Sequence, residues 1–311
     1  MTGNAERIRV RLPATSANLG PGFDTAAVAL DFYLTVEAEP AHEFSIAATG
    51  RDAARCGVLE DNLVIELYRS LLEREGREAR PLAIRLENEI PLGMGCGSSA
   101  AARLAAIALA NHFGRLDWTD DRVLTEASEL EGHPDNAAAC WLGGFVASGT
   151  LGGGVQVVRV EPPAEWRAIV VLPTEFPETS KTAKARAVLP AIYARTDVVS
   201  NLQAVAMLGL AFAQGRGELL KAAMTDRVHQ PYRLAICPLL PKLLPLAGQS
   251  GILGVALSGA GPAVLAIVES ESAAGEASRV IYEALEEIQR PELLVCRFQW
   301  EGTCAVAVAR K

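Results

Sequence analysis

The stretch Pro91-Leu92-Gly93-Met94-Gly95-Cys96-Gly97-Ser98-Ser99-Ala100-Ala101 decides how this chain is read. Glycine at three alternate positions lets backbone N–H groups crowd around an anion, because no Cβ intervenes and positive φ costs little. The Ser-Ser pair then opens an Ala-rich run, Ser98–Asn111, that reads as a helix. The loop therefore empties onto the positive end of a helix dipole, which suits a polyphosphate. It is not the familiar P-loop, since Gly97 stands where Lys would precede Ser or Thr. A serine hydroxyl here suits a hard cation such as Mg2+. Taken alone, the loop also reads as a glycine-rich helix entry that serves packing only.

Working outward, Leu82–Leu86 alternates as a strand and leads straight into the loop. Upstream, Asn62–Glu75 carries Leu63, Leu67, Leu71 and Leu72 on one helical stripe, while Ile8–Leu12 and Ala26–Ala38 read as strands. Downstream, Asp120–Leu130 predicts a helix with acids in its first turn. Short strands are expected at Phe145–Ser148, Val155–Val160 and Ala168–Leu172, with a domain boundary at Glu161-Pro162-Pro163. Helices follow near Lys181–Val188, Asp197–Ala213 and Ala273–Ile288. Further strands are expected near Leu253–Leu257, Ala263–Val268, Leu293–Phe298 and Cys304–Val308. Strands and helices mix without a regular βαβ beat, so the expected class is α+β, with domains at 1–161 and 162–311.

Three more segments carry chemistry. Glu129-Leu-Glu-Gly-His-Pro-Asp-Asn136 gathers carboxylates, an imidazole and an amide, broken by Gly132 and Pro134, so its polar groups fall on a loop. Carboxylates suit Mg2+, and His or Asn suits a hydroxyl or phosphate oxygen; a solvated helix end with an Asx turn reads the same way. Pro13-Ala-Thr-Ser-Ala-Asn-Leu-Gly-Pro-Gly-Phe-Asp24 reads as a long turn after a strand, carrying Asn18 and Asp24 where substrate contacts tend to sit. Leu257-Ser-Gly-Ala-Gly-Pro-Ala263 is a tight turn between two apolar strands.

Bulk properties exclude several alternatives. A formal charge of −8 and a pI near 5.2 argue against a nucleic-acid partner. No Lys/Arg run points to an anionic membrane surface. The uncharged run from Leu243 to Val268 is broken by Pro245, Pro262 and glycines, which fits a buried turn-strand-turn better than a membrane span. The six cysteines lack CxxC or zinc-like spacing and read as reduced thiols of a cytoplasmic protein. An acidic protein that binds a polyphosphate needs dipoles, a few Arg or Lys side chains and a metal.

These segments, in this order, resemble the GHMP kinases, and within them the homoserine kinases. Pro91–Ala101 is similar to the superfamily's central phosphate motif and Ser258–Pro262 to its C-terminal one. Pro13–Asp24, Glu131–Asn136, Thr182–Pro190 (TAKARAVLP) and Asp226–Arg233 (DRVHQPYR) are similar to homoserine kinases in particular. The resemblance covers the chain from Pro13 to the last strands. It implies a two-domain fold with the active site in the interdomain cleft, ATP and L-homoserine as substrates, Mg2+ as metal, and a homodimer as a plausible assembly. It also implies that Asn18, Asp24, His133, Arg186, Arg233 and Ser258 line the amino-acid site, and that Pro91–Ala101 holds ATP. Ser98 or Ser99, with Glu131 or in reserve Glu129, would hold the metal. Asn18, Asp135 and Asn136 would sit at the reacting hydroxyl, Asp135 positioning rather than acting as a base. Two arginines match the substrate carboxylate and Asp24 its ammonium group. Two positions depart from the pattern: Cys96 stands where Leu is usual, and Ala263 where Thr is common. Just ahead of a helix N-terminus, Cys96 is expected to form a stabilised thiolate, or else to tuck against the loop as a small apolar group.

Overall fold

The computed structural model describes residues 7–174, 182–288 and 290–308. The chain opens with β1 (Arg7–Asn18), β2 (Gly22–Pro40), β3 (Ser45–Gly50), α1 (Ala53–Cys56), α2 (Leu63–Arg74) and β4 (Leu82–Asn88). After the glycine loop come α3 (Ser98–Gly114), α4 (Asp120–Glu131) and α5 (Asp135–Leu142), then β5 (Phe145–Leu151) and β6 (Gly154–Val160). The second half begins with β7 (Arg167–Leu172), α6 (Thr182–Ala187), α7 (Arg195–Gln214), α8 (Leu220–Ala223), α9 (Gln230–Arg233) and α10 (Leu240–Leu243). It ends with β8 (Ile252–Leu257), β9 (Val264–Val268), α11 (Glu271–Leu285), β10 (Glu292–Cys296) and β11 (Cys304–Val308).

Two sheets organise these elements, and the class is α+β. The first runs β11-β1-β2-β4-β3, with β5 and β6 added beside the early part of β2; the second runs β10-β7-β9-β8. β11 returns from the far end of the chain to pair antiparallel with β1, Arg7 opposite Val308. The Ala-rich α3 buries Ala101, Leu104, Ala105 and Leu109 completely, and small side chains let a helix lie close on a sheet. One core runs from the first sheet through α3 to Val170 of β7 and Leu265 of β9; a second lies under β8, α10 and α11.

The structure corrects two local expectations. Pro13–Asn18 is not a turn but the buried end of β1, with a register shift at Pro13/Ala14 where a residue lacking an N–H fits. The turn shrinks to Leu19–Pro21. Asp135 and Asn136 lie on a helix, because Gly132 ends α4 at φ 83° and α5 starts immediately. The helix expected from Lys181 begins, as far as it is described, at Thr182; Lys181 lies outside the described residues. In the run at Leu243–Val268, β8 and β9 are buried strands as expected, whereas Leu244–Leu246 forms a short 3-10 helix and Pro245 and Gly248–Ser250 are exposed. By length and composition α7 is apolar enough to cross a bilayer. Here its buried face, Asn201, Leu208, Ala211 and Phe212, is docked on the protein. Asn201 donates to Pro21 O at 2.8 Å and accepts from Arg227 N at 3.1 Å.

Candidate active site

A cavity of about 570 Å3 opens where the glycine loop meets the turn after β8 and the segments holding Arg186 and Arg233. Gly93, Gly95 and Gly97 have φ of 72°, 88° and 73°. At Gly95 and Gly97 the missing Cβ does not simply leave space for phosphate. A Cβ on Gly95 would stand 2.1 Å from Ser258 O, and one on Gly97 would stand 1.9 Å from Thr15 Oγ1. These glycines let the loop lie flat against β1 and the Leu257–Ala263 turn, while Gly93 faces open space. Ser258 Oγ donates to Gly95 O at 2.8 Å and Ala263 N donates to Met94 O at 3.1 Å, so the later turn clamps the loop.

At the N-terminal end of α3 sits a side chain that the sequence reading passed over. Arg103, one turn after Ser99 and so on the same helix face, donates through Nη1 to Ser99 Oγ and, at 2.5 Å, to Glu131 Oε1. A hydroxyl and a carboxylate are hard oxygen donors of the kind Mg2+ takes, and here a cationic group already bridges them. The residues present therefore fit a cation between them. Glu131 lines the cavity; Glu129 is exposed and does not. Ser98 Oγ accepts from Gly93 N across the loop.

Beside Glu131, His133 Nδ1 lies 2.5 Å from Asp135 Oδ1, and Asp135 is almost fully buried at the start of α5. Burial alone would lower the His133 pKa, but the hydrogen bond and charge of Asp135, helped by Asp24 and Glu131, outweigh it and raise it. Asp135 Oδ1 also accepts from Asn136 N at 2.7 Å, and Asn136 Oδ1 accepts from Thr15 Oγ1 at 2.6 Å. Polar atoms of Asp24, His133 and Asp135 lie within 4.8 Å of one another. Asn18, at φ 70°, spans the cleft: Nδ2 donates to Gly259 O at 2.8 Å and Oδ1 accepts from Asp24 N at 3.0 Å.

The two arginines differ. Arg186 makes a two-pronged pair with Asp24, at 2.9 and 2.7 Å, and that bond with Asp24 raises its pKa further. Arg233 is 1% exposed and donates Nε to Ala185 O at 2.9 Å, and Nη1 to His229 Nδ1 at 3.1 Å and to Gly259 O at 3.4 Å. Burial pushes its pKa down. Phe23 lies 5.4 Å below each guanidinium and stacks on His229.

Models of the GHMP kinase N-terminal domain and the GHMP kinase C-terminal domain match residues 62–144 and 210–287. The homoserine kinase of Solibacter usitatus is 44% identical over 271 residues, covering 86% of this chain and 88% of its own. That of Carboxydothermus hydrogenoformans is 37% identical over 307 residues, covering 95% and 99%. The crystal structure of homoserine kinase from Cytophaga hutchinsonii superposes with a TM-score of 0.81 at 27% identity, covering 97% of this chain and 98% of that one. The chain belongs to the homoserine kinase family of GHMP kinases.

Within that homoserine kinase frame, the cavity gathers Asn18, Asp24, His133, Asp135, Asn136, Arg186, Arg233 and much of the glycine loop. It does not reach Ser258, whose buried hydroxyl lies 2.8 Å from Ser16 Oγ; Gly259, Ala260 and Gly261 line it instead. Sequence reasoning missed Thr15, Phe23, Arg103 and His229. The signals for two of them were the four-residue spacings Ser99/Arg103 and His229/Arg233. The thiolate expected at Cys96 is corrected: the side chain is wholly buried in the core, and burial pushes its pKa up to about 12. Proximity to a helix N-terminus counts for little when the thiol has no access to water.

Proposed function

We propose that the chain transfers the γ-phosphoryl group of ATP to the side-chain hydroxyl of L-homoserine, giving O-phospho-L-homoserine, with Mg2+ held by Ser99 and Glu131. Arg233 carries the choice of substrate. Among the described residues it is a buried cation whose acceptors are all neutral, in the wall of the cavity that also holds the glycine loop. Such a group is stabilised when an anion arrives with the ligand. Asp24 and Asp135 lie nearby for an ammonium group. A guanidinium opposite two carboxylates fits the zwitterion of an amino acid, which neither galactose nor mevalonate presents.

The remaining roles follow from position. The backbone of Pro91–Ala101 and the N-terminal dipole of α3 hold the polyphosphate. Ser99 and Glu131, now bridged by Arg103, would hold Mg2+, which would supply neutralisation of charge on the phosphoryl oxygens. Asn136, fixed by Thr15, orients the substrate hydroxyl, and Asp135 fixes His133 and Asn136. Asn18 keeps the Asp24 backbone in place and reaches across the cleft to Gly259. Phosphoryl transfer needs mainly alignment and charge stabilisation, so Asp135 positions and is not required as a base. The same proposal divides the chain at 161/162, with β11 crossing back, and expects a cytoplasmic homodimer. Support for the substrate comes from rates with ATP and homoserine, mevalonate, galactose and shikimate: homoserine should be fastest by more than tenfold. A faster rate with any other alcohol overturns the proposal.

A further inference from the structure

His229 is wholly buried and sits one turn before Arg233. Both of its ring nitrogens are assigned by their partners. Nε2 lies 2.7 Å from Gly20 O, and a carbonyl can only accept, so Nε2 carries the proton. Nδ1 lies 3.1 Å from Arg233 Nη1, and a guanidinium can only donate, so Nδ1 presents its lone pair. His229 is thus a neutral Nε2–H imidazole.

The ring is held from several sides. Its backbone N donates to Asp226 Oδ2 at 2.9 Å, and Gln230 N donates to the same oxygen at 2.6 Å. Phe23 stacks on the ring with centroids 5.2 Å apart. Gly20, whose carbonyl takes the Nε2 proton, is fixed by Met224 O, 2.1 Å from where a Cβ would stand. The charged groups around the imidazole are Asp226, Arg233 and Asp24; burial and Arg233 lower its pKa while Asp226 and Asp24 oppose them, and the net direction is down.

We propose that His229 is a positioning residue for carboxylate recognition: it aims the Arg233 guanidinium into the cavity through a neutral acceptor, so that Arg233 keeps its whole charge for the substrate. A carboxylate in place of the imidazole would hold the guanidinium as firmly, but it would neutralise it before any substrate arrived. Arg186, already paired with Asp24, shows that alternative in the same cavity. Every acceptor on Arg233, from Ala185, Gly259 and His229, is uncharged, and among the described residues Arg233 forms no ion pair. This inference rests on the reading of Arg233 as the group that meets the homoserine carboxylate.

The test uses two isosteric variants. Asparagine places its Oδ1 where Nδ1 stands and remains neutral, while aspartate places a charged oxygen there. His229→Asn should keep the native preference for homoserine over homoserinol, which lacks the carboxylate, to within about threefold. His229→Asp should raise KM for homoserine about tenfold or more, with a far smaller change in kcat and in the constants for homoserinol. Equal constants in the two variants, or an Asp variant that harms both substrates alike, overturns the role of His229. If circular dichroism shows that either variant is unfolded, His229→Gln carries the test. It keeps a donor to Gly20 and loses the acceptor, so it should lower the homoserine preference; an unchanged preference overturns the role. Arg233→Ala separates the two levels. A native preference there sinks the carboxylate reading itself. A lost preference there, beside a native one in His229→Asp, sinks only the role of His229.

Discussion

Arg186 and Arg233 reach one cavity from two segments of the second half, and they are built in opposite ways. Arg186 is part-exposed, on a helix facing the cleft, and its fork is already filled by Asp24. Arg233 is almost fully buried and, among the described residues, its acceptors are all neutral. A partly exposed ion pair contributes about 1 kcal/mol or less, and its two charges cancel at a distance. A buried, uncompensated cation is costly in the empty site and becomes favourable when an anion fills the gap. On the proposed reading, Arg233 therefore meets the substrate carboxylate, and Arg186 holds Asp24 where an ammonium group would use its remaining lone pairs.

The largest effect should come from removing the uncompensated cation. A charge-assisted hydrogen bond contributes about 1.5–3 kcal/mol, so Arg233→Ala should lower kcat/KM for homoserine by roughly 10- to 150-fold. Lys at this position should rescue poorly, because it lacks the planar fork that spans Ala185 O, His229 Nδ1 and the substrate. Homoserinol, which lacks the carboxylate, should already be a poor substrate of the native enzyme and should lose little further. Steady-state kinetics with both alcohols checks this, and equal losses on both would erase the distinction between the two arginines.

How much of this was legible beforehand differs from region to region. The stripe of Leu63, Leu67, Leu71 and Leu72 announced α2, and the glycine alternation before an Ala-rich run announced the loop and α3, because those signals are local. The return of β11 to β1 was not legible as a pairing, since nothing local couples residues about 300 positions apart. α5 was missed because two turns of Ala-rich sequence after Pro134 look like a loop tail. In the site, motif resemblance placed Asp24, His133, Arg186 and Arg233 together. It could not show that Asp24 is already bound to Arg186, 162 residues away. Nor could it show that Gly95 and Gly97 are small because Ser258 and Thr15 press on them. Contacts of that kind depend on which surfaces the fold brings into register.

At the phosphate end, the comparison has a counterpart in Arg103, which like Arg186 is spent on an acid of the site. Because its guanidinium bridges Ser99 and Glu131, any divalent cation must displace it. Arg103→Ala should therefore bind Mn2+ about fivefold tighter in the absence of nucleotide, corresponding to the loss of about 1 kcal/mol of competing ion pair. Electron paramagnetic resonance of free Mn2+ reads this without any turnover. Unchanged or weaker Mn2+ binding would show that Arg103 does not occupy the cation's place.

The smallest effect is expected at Arg186. Its removal takes one cation from the cavity wall but also frees the Asp24 carboxylate, and the two changes oppose each other. The lost cation weakens a general attraction for the substrate carboxylate, while the freed carboxylate attracts the ammonium group more strongly. The pair being removed is part-exposed, so Arg186→Ala should shift KM for homoserine by about threefold or less. Homoserinol, which keeps the amine but lacks the carboxylate, should feel only the freed Asp24 and show a slightly lower KM, a gain that should shrink as salt screens Asp24. This outcome would separate the two arginines by kind as well as by size, one acting on the carboxylate and the other through Asp24. A tenfold loss in Arg186→Ala confined to homoserine would instead make both arginines carboxylate readers, and the Asp24 pair would then be a contact that substrate breaks on entry.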